Sequence, residues 1–150
     1  MSEWNLDKIE QYFASTEYNP ARHEKLLNTD PVGRLVRDRR ALVVELNGLR
    51  RQAHEAVLDP ARRDQLRQRA SVVDGRLQKI REALTAIAVI FTQAEVGEPT
   101  VLALKERIEH LQRHCRPAYK GSGDHSAVDG EISQLDAVVK QVEHISAGAL

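Results

Sequence analysis

The sequence predicts an all-α fold: an antiparallel helical bundle built around one long central hairpin. Three observations carry the prediction. Leu66, Ala70, Val73, Leu77, Ile80, Leu84, Ile87, Phe91 and Ala94 recur at alternating spacings of four and three, an unbroken apolar seam along one side of a helix. Val32, Leu35, Arg39, Leu42, Leu46, Leu49, Ala53 and Ala56 repeat the pattern with a single charge in the line. Between the two seams, Leu58-Asp59-Pro60 ends one helix and caps the next within a few residues, which folds the pair back on itself with Asp59 at the turn.

In chain order, Ser2 is the expected cap of a first short helix, with Leu6, Ile9 and Phe13 on its inner side, Trp4 beside them and Glu3, Asp7 and Glu10 outside. A polar break over 15–19 follows. Asn19-Pro20 restarts a helix of one to two turns ending near Leu27, because proline at the first helical position loses no useful N–H. Asp30-Pro31 repeats that device and opens the first hairpin arm, about 31–57; the second runs about 60–94. Within the second arm, residues 83–91 are apolar nearly all round, so further helices are expected to cover that end on every side. They are expected at about 99–115, with Val101, Leu104, Ile108, Leu111 and Cys115 in line, and at about 126–147, where Val128, Ile132, Leu135, Val139 and Val142 form the seam. Residues 118–125 read as a loop, and Ser126 with Asp129 as a capping-box-like start.

A chain of 150 residues suffices for one domain with its own core, so a single helical domain over 1–150 is expected. The 22 basic and 22 acidic residues cancel, which removes the whole chain as an electrostatic ligand for nucleic acid or anionic membrane. The charge is uneven, however: residues 34–81 hold 13 basic and 6 acidic side chains, against 3 and 6 in residues 1–33 and 6 and 10 in residues 82–150. One cysteine, Cys115, excludes an internal disulfide framework, the start MSEWNLD lacks the form of a secretory signal, and no apolar run reaches membrane-spanning length, so a cytoplasmic protein with no membrane partner is expected.

The residues that stand out are Arg39, Arg40, Arg50, Arg51, Arg62, Arg63, Arg67 and Arg69, expected to meet a partner because guanidinium binds carboxylate and phosphate bidentately. No Phe, Tyr or Trp lies between Tyr18 and Phe91, which disfavours base stacking, so any nucleic-acid contact would be to backbone or shape. Glu106, His110 and His114 share a helix face at spacings of four, yet no HExxH or Cys-x-x-Cys pattern accompanies them, and no metal or cofactor is expected. Asp124-His125-Ser126 are sequence neighbours rather than a triad, and Gly121-Ser-Gly123 lacks the spacing of a phosphate loop.

The segment RRALVVELNGLRR, residues 39–51, resembles the first arm of the tRNA-binding coiled coil of seryl-tRNA synthetases, which would make Arg50, Arg51, Arg62 and Arg63 backbone contacts. It also resembles the helical chorismate mutases, whose pattern falls on Arg39, Arg50, Asp59 and Arg62, with Arg63 in place of that family's glutamate; this would imply a small all-α enzyme with an Arg-lined core site. What the two resemblances share is an arginine-decorated helical hairpin. The leading expectation is a non-enzymatic helical interaction protein, an adaptor, chaperone-like factor, inhibitor or assembly component, that binds a protein partner or a second copy of itself. A nucleic-acid-contacting arm and a core-site enzyme are the alternatives.

Overall fold

The computed structural model describes residues 3–14, 20–115 and 126–148. Its helices are α1 (Leu6–Ala14), α2 (Pro20–Thr29), α3 (Pro31–Glu55), α4 (Pro60–Gln93), α5 (Val101–His110) and α6 (Ser126–Ser146), and a single π-helical turn, Leu111–Cys115, continues α5. Antiparallel α3 and α4 pack along each other as the central hairpin. Two ion pairs cross between the arms, Asp38–Arg76 at 3.9 Å and Arg50–Asp74 at 4.0 Å, both centred near Asp59 as a turn there requires.

The expected seams are the buried lines. Leu66, Ala70, Val73, Ile80, Leu84, Ile87 and Phe91 are buried on α4, and Val32, Leu35, Leu46, Leu49 and Ala53 on α3. They fall into two clusters. At the base, Leu35, Val36, Ile80, Leu84 and Phe91 pack with Ile9 and Phe13 of α1, Leu26 of α2, Leu104 of α5 and Leu135, Val139 and Val142 of α6. Toward the turn, Leu46, Leu49, Ala53, Leu66, Ala70 and Val73 form a cluster of the two arms alone, linked to the base through Leu42. The reason lies in length: α4 has 34 residues, about 50 Å, whereas α5 has 10 and α6 has 21, so the shorter helices clothe only one end.

Where residues 83–91 were expected to be covered on all sides, one side is open. Ala86 is exposed and Val89 is 53% exposed, because Thr85 and Ala86 make that face too shallow to demand a further helix. The cap of α1 is Asn5, whose Oδ1 accepts from Lys8 N at 2.9 Å; Ser2 and the 15–19 and 118–125 breaks lie outside the described residues. Helix α2 runs two residues past its expected end, to Thr29, so that α2 and α3 meet across Asp30 alone. Helix α5 is shorter than 99–115: Thr100 caps it by accepting from Ala103 N at 3.1 Å, and the π-turn takes over at Leu111.

Asp30 ties three of these elements together. It is the N-cap of α3, with Oδ1 accepting from Val32 N at 3.0 Å, and the same carboxylate accepts from Val101 N at 3.1 Å and Leu102 N at 3.1 Å at the start of α5. Two helix N-termini thus share one buried anion, which answers orphan N–H groups of both and lies at the positive end of both dipoles. At the far end of α4 the chain leaves through a Schellman turn: Val96 N donates to Phe91 O, Glu95 N donates to Thr92 O, and Glu95 takes the left-handed φ of 55° usually reserved for glycine. Trp4 closes that corner, its backbone N donating to Thr92 Oγ1 at 2.8 Å and its indole Nε1 to Val96 O at 3.1 Å.

Arg22 on α2 joins the same corner, donating from Nη2 to Glu98 Oε2 at 2.7 Å and from Nη1 to the Tyr12 hydroxyl at 3.1 Å. The Arg22 hydrogen bond holds the Glu98 carboxyl below its ordinary value, while burial pushes the Tyr12 phenol up. Because the folded-state value of Glu98 is depressed, its stabilisation is complete above the unfolded carboxylate pKa of about 4.3 and disappears as pH falls through the folded value. Both side chains are about a third exposed, so the contribution is at most about 1 kcal/mol. Thermal melts of wild type and Glu98→Gln from pH 6 to pH 3 are expected to show a wild-type advantage that shrinks as the pH falls below the unfolded carboxylate value.

Candidate interaction surface at the hairpin end

Beyond Leu42 and Leu77, α3 and α4 are the only helices among the described residues for about 20 Å, which leaves the outer face of each arm uncovered by them. The turn residues 56–59 are too few to fold back over the apolar side chains they carry. Leu58 is 97% exposed and Val57 66%. Asp59 has a fixed role there, accepting from Arg62 N through Oδ1 at 3.1 Å to cap α4. Gln52, Glu55, Ala56, Leu58, Asp59 and Arg62 line an open concavity of about 400 Å³ beside the turn.

Six of the eight arginines singled out in the sequence lie on this arm. Arg50 makes a long, exposed contact with Asp74; Arg51, Arg62, Arg67 and Arg69 are exposed and form no side-chain ion pair among the described residues. At 100° per residue, Arg50, Arg63 and Arg67 fall on one side of the two-helix ribbon and Arg62 and Arg69 on the other, so arginine rims the end rather than striping one face. Arg63 is half-buried, and its Nε is enclosed without a hydrogen-bond acceptor. Glu55, Asp59 and Asp64 stand among these cations and reduce their net charge.

Arg39 and Arg40 lie elsewhere. They converge on Glu10 of α1 at the base: Arg39 Nη1 donates to Oε1 at 3.1 Å, Arg40 Nε to Oε2 at 3.4 Å, and Arg40 Nη2 to the Glu10 carbonyl at 3.2 Å. Glu10 thereby pins α1 to the hairpin, and the carboxylate held by Arg39 is the chain's own. Arg39, Arg50, Asp59 and Arg62, aligned by the mutase resemblance, do not meet within one chain, since about 24 Å of helix rise separates Arg39 from the end of α3 at Glu55, before the turn that holds Asp59.

Away from the hairpin, a concavity of about 390 Å³ between the end of α4, α5 and α6 is lined by Gln93, Glu95, Gln134 and the Arg107–Glu131 pair at 3.4 Å. His110 and His114 lie over a smaller hollow of about 210 Å³ together with Glu106, Glu109 and Arg113. Among the described residues, no helix is long and apolar enough to cross a membrane, and no three His, Cys, Asp or Glu side chains converge as a metal site.

The exposed Val57 and Leu58 escaped sequence reasoning. They stand between two amphipathic seams and belong to neither, and that off-seam position in a four-residue connection was the available signal. The role of Glu10 had no signal of its own, because a helix-surface glutamate looks the same whether or not two arginines of a distant helix reach it. Comparison of the chain with protein-family models, curated proteins and solved structures returns no match.

Proposed function

We propose that this chain is a non-enzymatic docking protein of the cytoplasm, and that the free end of the α3–α4 hairpin is the surface with which it holds a protein partner. One observation carries the reading: apolar Val57 and Leu58 project into solvent from an end rimmed by Arg50, Arg51, Arg62, Arg63, Arg67 and Arg69, where no described helix outside the hairpin packs. Arginine is enriched at protein interfaces, and exposed charge around an apolar centre speeds and orients encounter. The complementary surface is an apolar recess edged by aspartate and glutamate.

The charge balance of the chain favours an external partner over a second copy. At the base, Glu10, Glu98, Glu131 and Glu143 are paired to Arg39 and Arg40, Arg22, Arg107 and Lys105, whereas most hairpin arginines have no such carboxylate. Protein is favoured over nucleic acid because Glu55, Asp59 and Asp64 would face the phosphates and the arm offers no aromatic platform.

The test is affinity capture with the tagged full chain from its source cells, at salt of about 0.1 M and about 0.5 M to vary screening. A Leu58→Asp/Arg62→Glu variant and a base variant, Val89→Asp, serve as comparisons. The expected result is one protein retained at low salt, lost with the hairpin variant, kept with the base variant and indifferent to nuclease. Capture that survives the hairpin variant, or retention of nucleic acid in place of protein, contradicts the reading.

A further inference from the structure

The second place where the fold gathers chemistry is the π-turn that ends α5. We propose that His110 and His114 form a two-histidine site for a divalent transition cation of the imidazole-preferring class, Zn²⁺, Ni²⁺ or Cu²⁺. Both side chains are exposed, and their ring centroids are 5.1 Å apart with the planes tilted by 41°. Two imidazoles bound cis to one cation at metal–nitrogen distances of about 2.0–2.1 Å and a tetrahedral angle have centroids about 5 Å apart. The rings therefore already stand at ligand separation, and only rotation about side-chain torsions is needed to aim the nitrogens.

The backbone explains why they meet. Residues four apart share a helix face, and the wider π-turn from Leu111 to Cys115 brings His114 more nearly above His110 than an α-turn would. One continuous element supplies both rings, so binding does not have to order a loop. The surroundings favour a cation: Glu106 lies one turn before His110 on the rim of the hollow, and Glu109 neutralises Arg113 through a 2.9 Å ion pair. With no third His, Cys, Asp or Glu of the described residues converging there, the remaining positions of a bound cation would be left to water. That ligand set excludes Mg²⁺ and Ca²⁺, which require oxygen donors.

Calorimetric titration of the full chain with NiCl₂ and ZnCl₂ in a non-coordinating buffer tests this, with imidazole ¹⁵N shifts followed in parallel. One equivalent of cation is expected to bind and to move the His110 and His114 nitrogens. His110→Ala and His114→Ala are each expected to weaken binding at least about tenfold, and Glu106→Gln by less, as a nearby charge outside the ligand set. His54→Ala/His144→Ala is expected to bind as wild type does, and MgCl₂ not at all. Both histidines are exposed, so the alanine variants are expected to fold; their circular dichroism checks this, and His110→Gln is the second variant. A wild-type chain that takes up no equivalent of either metal, or a His110→Ala/His114→Ala chain that binds like wild type, overturns the proposal.

Discussion

Replacing Asp30 with alanine is expected to lower stability by about 4 kcal/mol, the sum of a lost N-cap and of buried N–H groups left unpaired. That corresponds to a fall of about 10 °C in thermal midpoint for a chain of this size. The size follows from the double duty of one carboxylate. A surface N-cap loses one hydrogen bond that water replaces, but here Val32 N, Val101 N and Leu102 N all donate to Asp30, which is only 6% exposed. Asp30→Asn keeps an oxygen at one helix start and turns an amide N–H₂ toward the other, so about half the loss is expected. Equilibrium urea unfolding of the two variants measures both. If Asp30→Ala cost no more than an ordinary cap, about 1 kcal/mol, the bridge between α3 and α5 would not exist in solution.

The second large effect is expected at Gly33. A Cβ built there would lie 2.1 Å from Leu26 O, 2.7 Å from Leu26 C and 2.9 Å from Leu27 Cα, all backbone atoms of α2. No rotamer change relieves such a contact; α2 must move off α3 and loosen Leu26, Val32 and their neighbours in the base core. Gly33→Ala is therefore expected to destabilise by about 3 kcal/mol, the upper part of the range for overpacking. The contrast within the same hairpin is sharp. Gly48 and Gly75 have no atom from beyond their own stretch of helix within 4 Å of a built Cβ, so alanine there removes only a mid-helix glycine and is expected to stabilise by about 0.5–1 kcal/mol each. Three melting curves decide it. Equal effects at Gly33, Gly48 and Gly75 would mean that α2 does not approach α3 as closely as the structure places it.

How much of this was legible in the sequence depended on whether a residue's role was local. The seams of α3 and α4, the Asp-Pro starts of both arms and the turn at Asp59 are patterns over neighbouring positions, and they came through with boundaries shifted by a residue or two. The bare hairpin end follows from helix lengths, 34 residues in α4 against 10 in α5 and 21 in α6. What could not be read was long-range pairing. Asp30 looked like one cap, and nothing in residues 25–35 signals that Val101 and Leu102 also donate to it. Glycine at 33 looked the same as glycine at 48 or 75, because the difference lies entirely in the backbone of another helix. Arg39 and Arg40 were grouped with the hairpin arginines on composition, but Glu10, thirty residues upstream, engages them at the base. The open side of 83–91 was missed because apolar composition was read as a demand for cover, when small side chains such as Ala86 expose little apolar area.

The most direct test of a bare two-helix end is native-state hydrogen exchange along α4 of the free protein, since that one helix crosses both environments. Amides from 64 to 76 are held only by α3 and the small cluster around Leu49 and Ala70, so they are expected to open at a clearly lower free energy than amides from 80 to 91, which the bundle surrounds. Uniform protection from Arg63 to Phe91 would mean that something covers the arginine-rimmed end in solution, and would contradict the account.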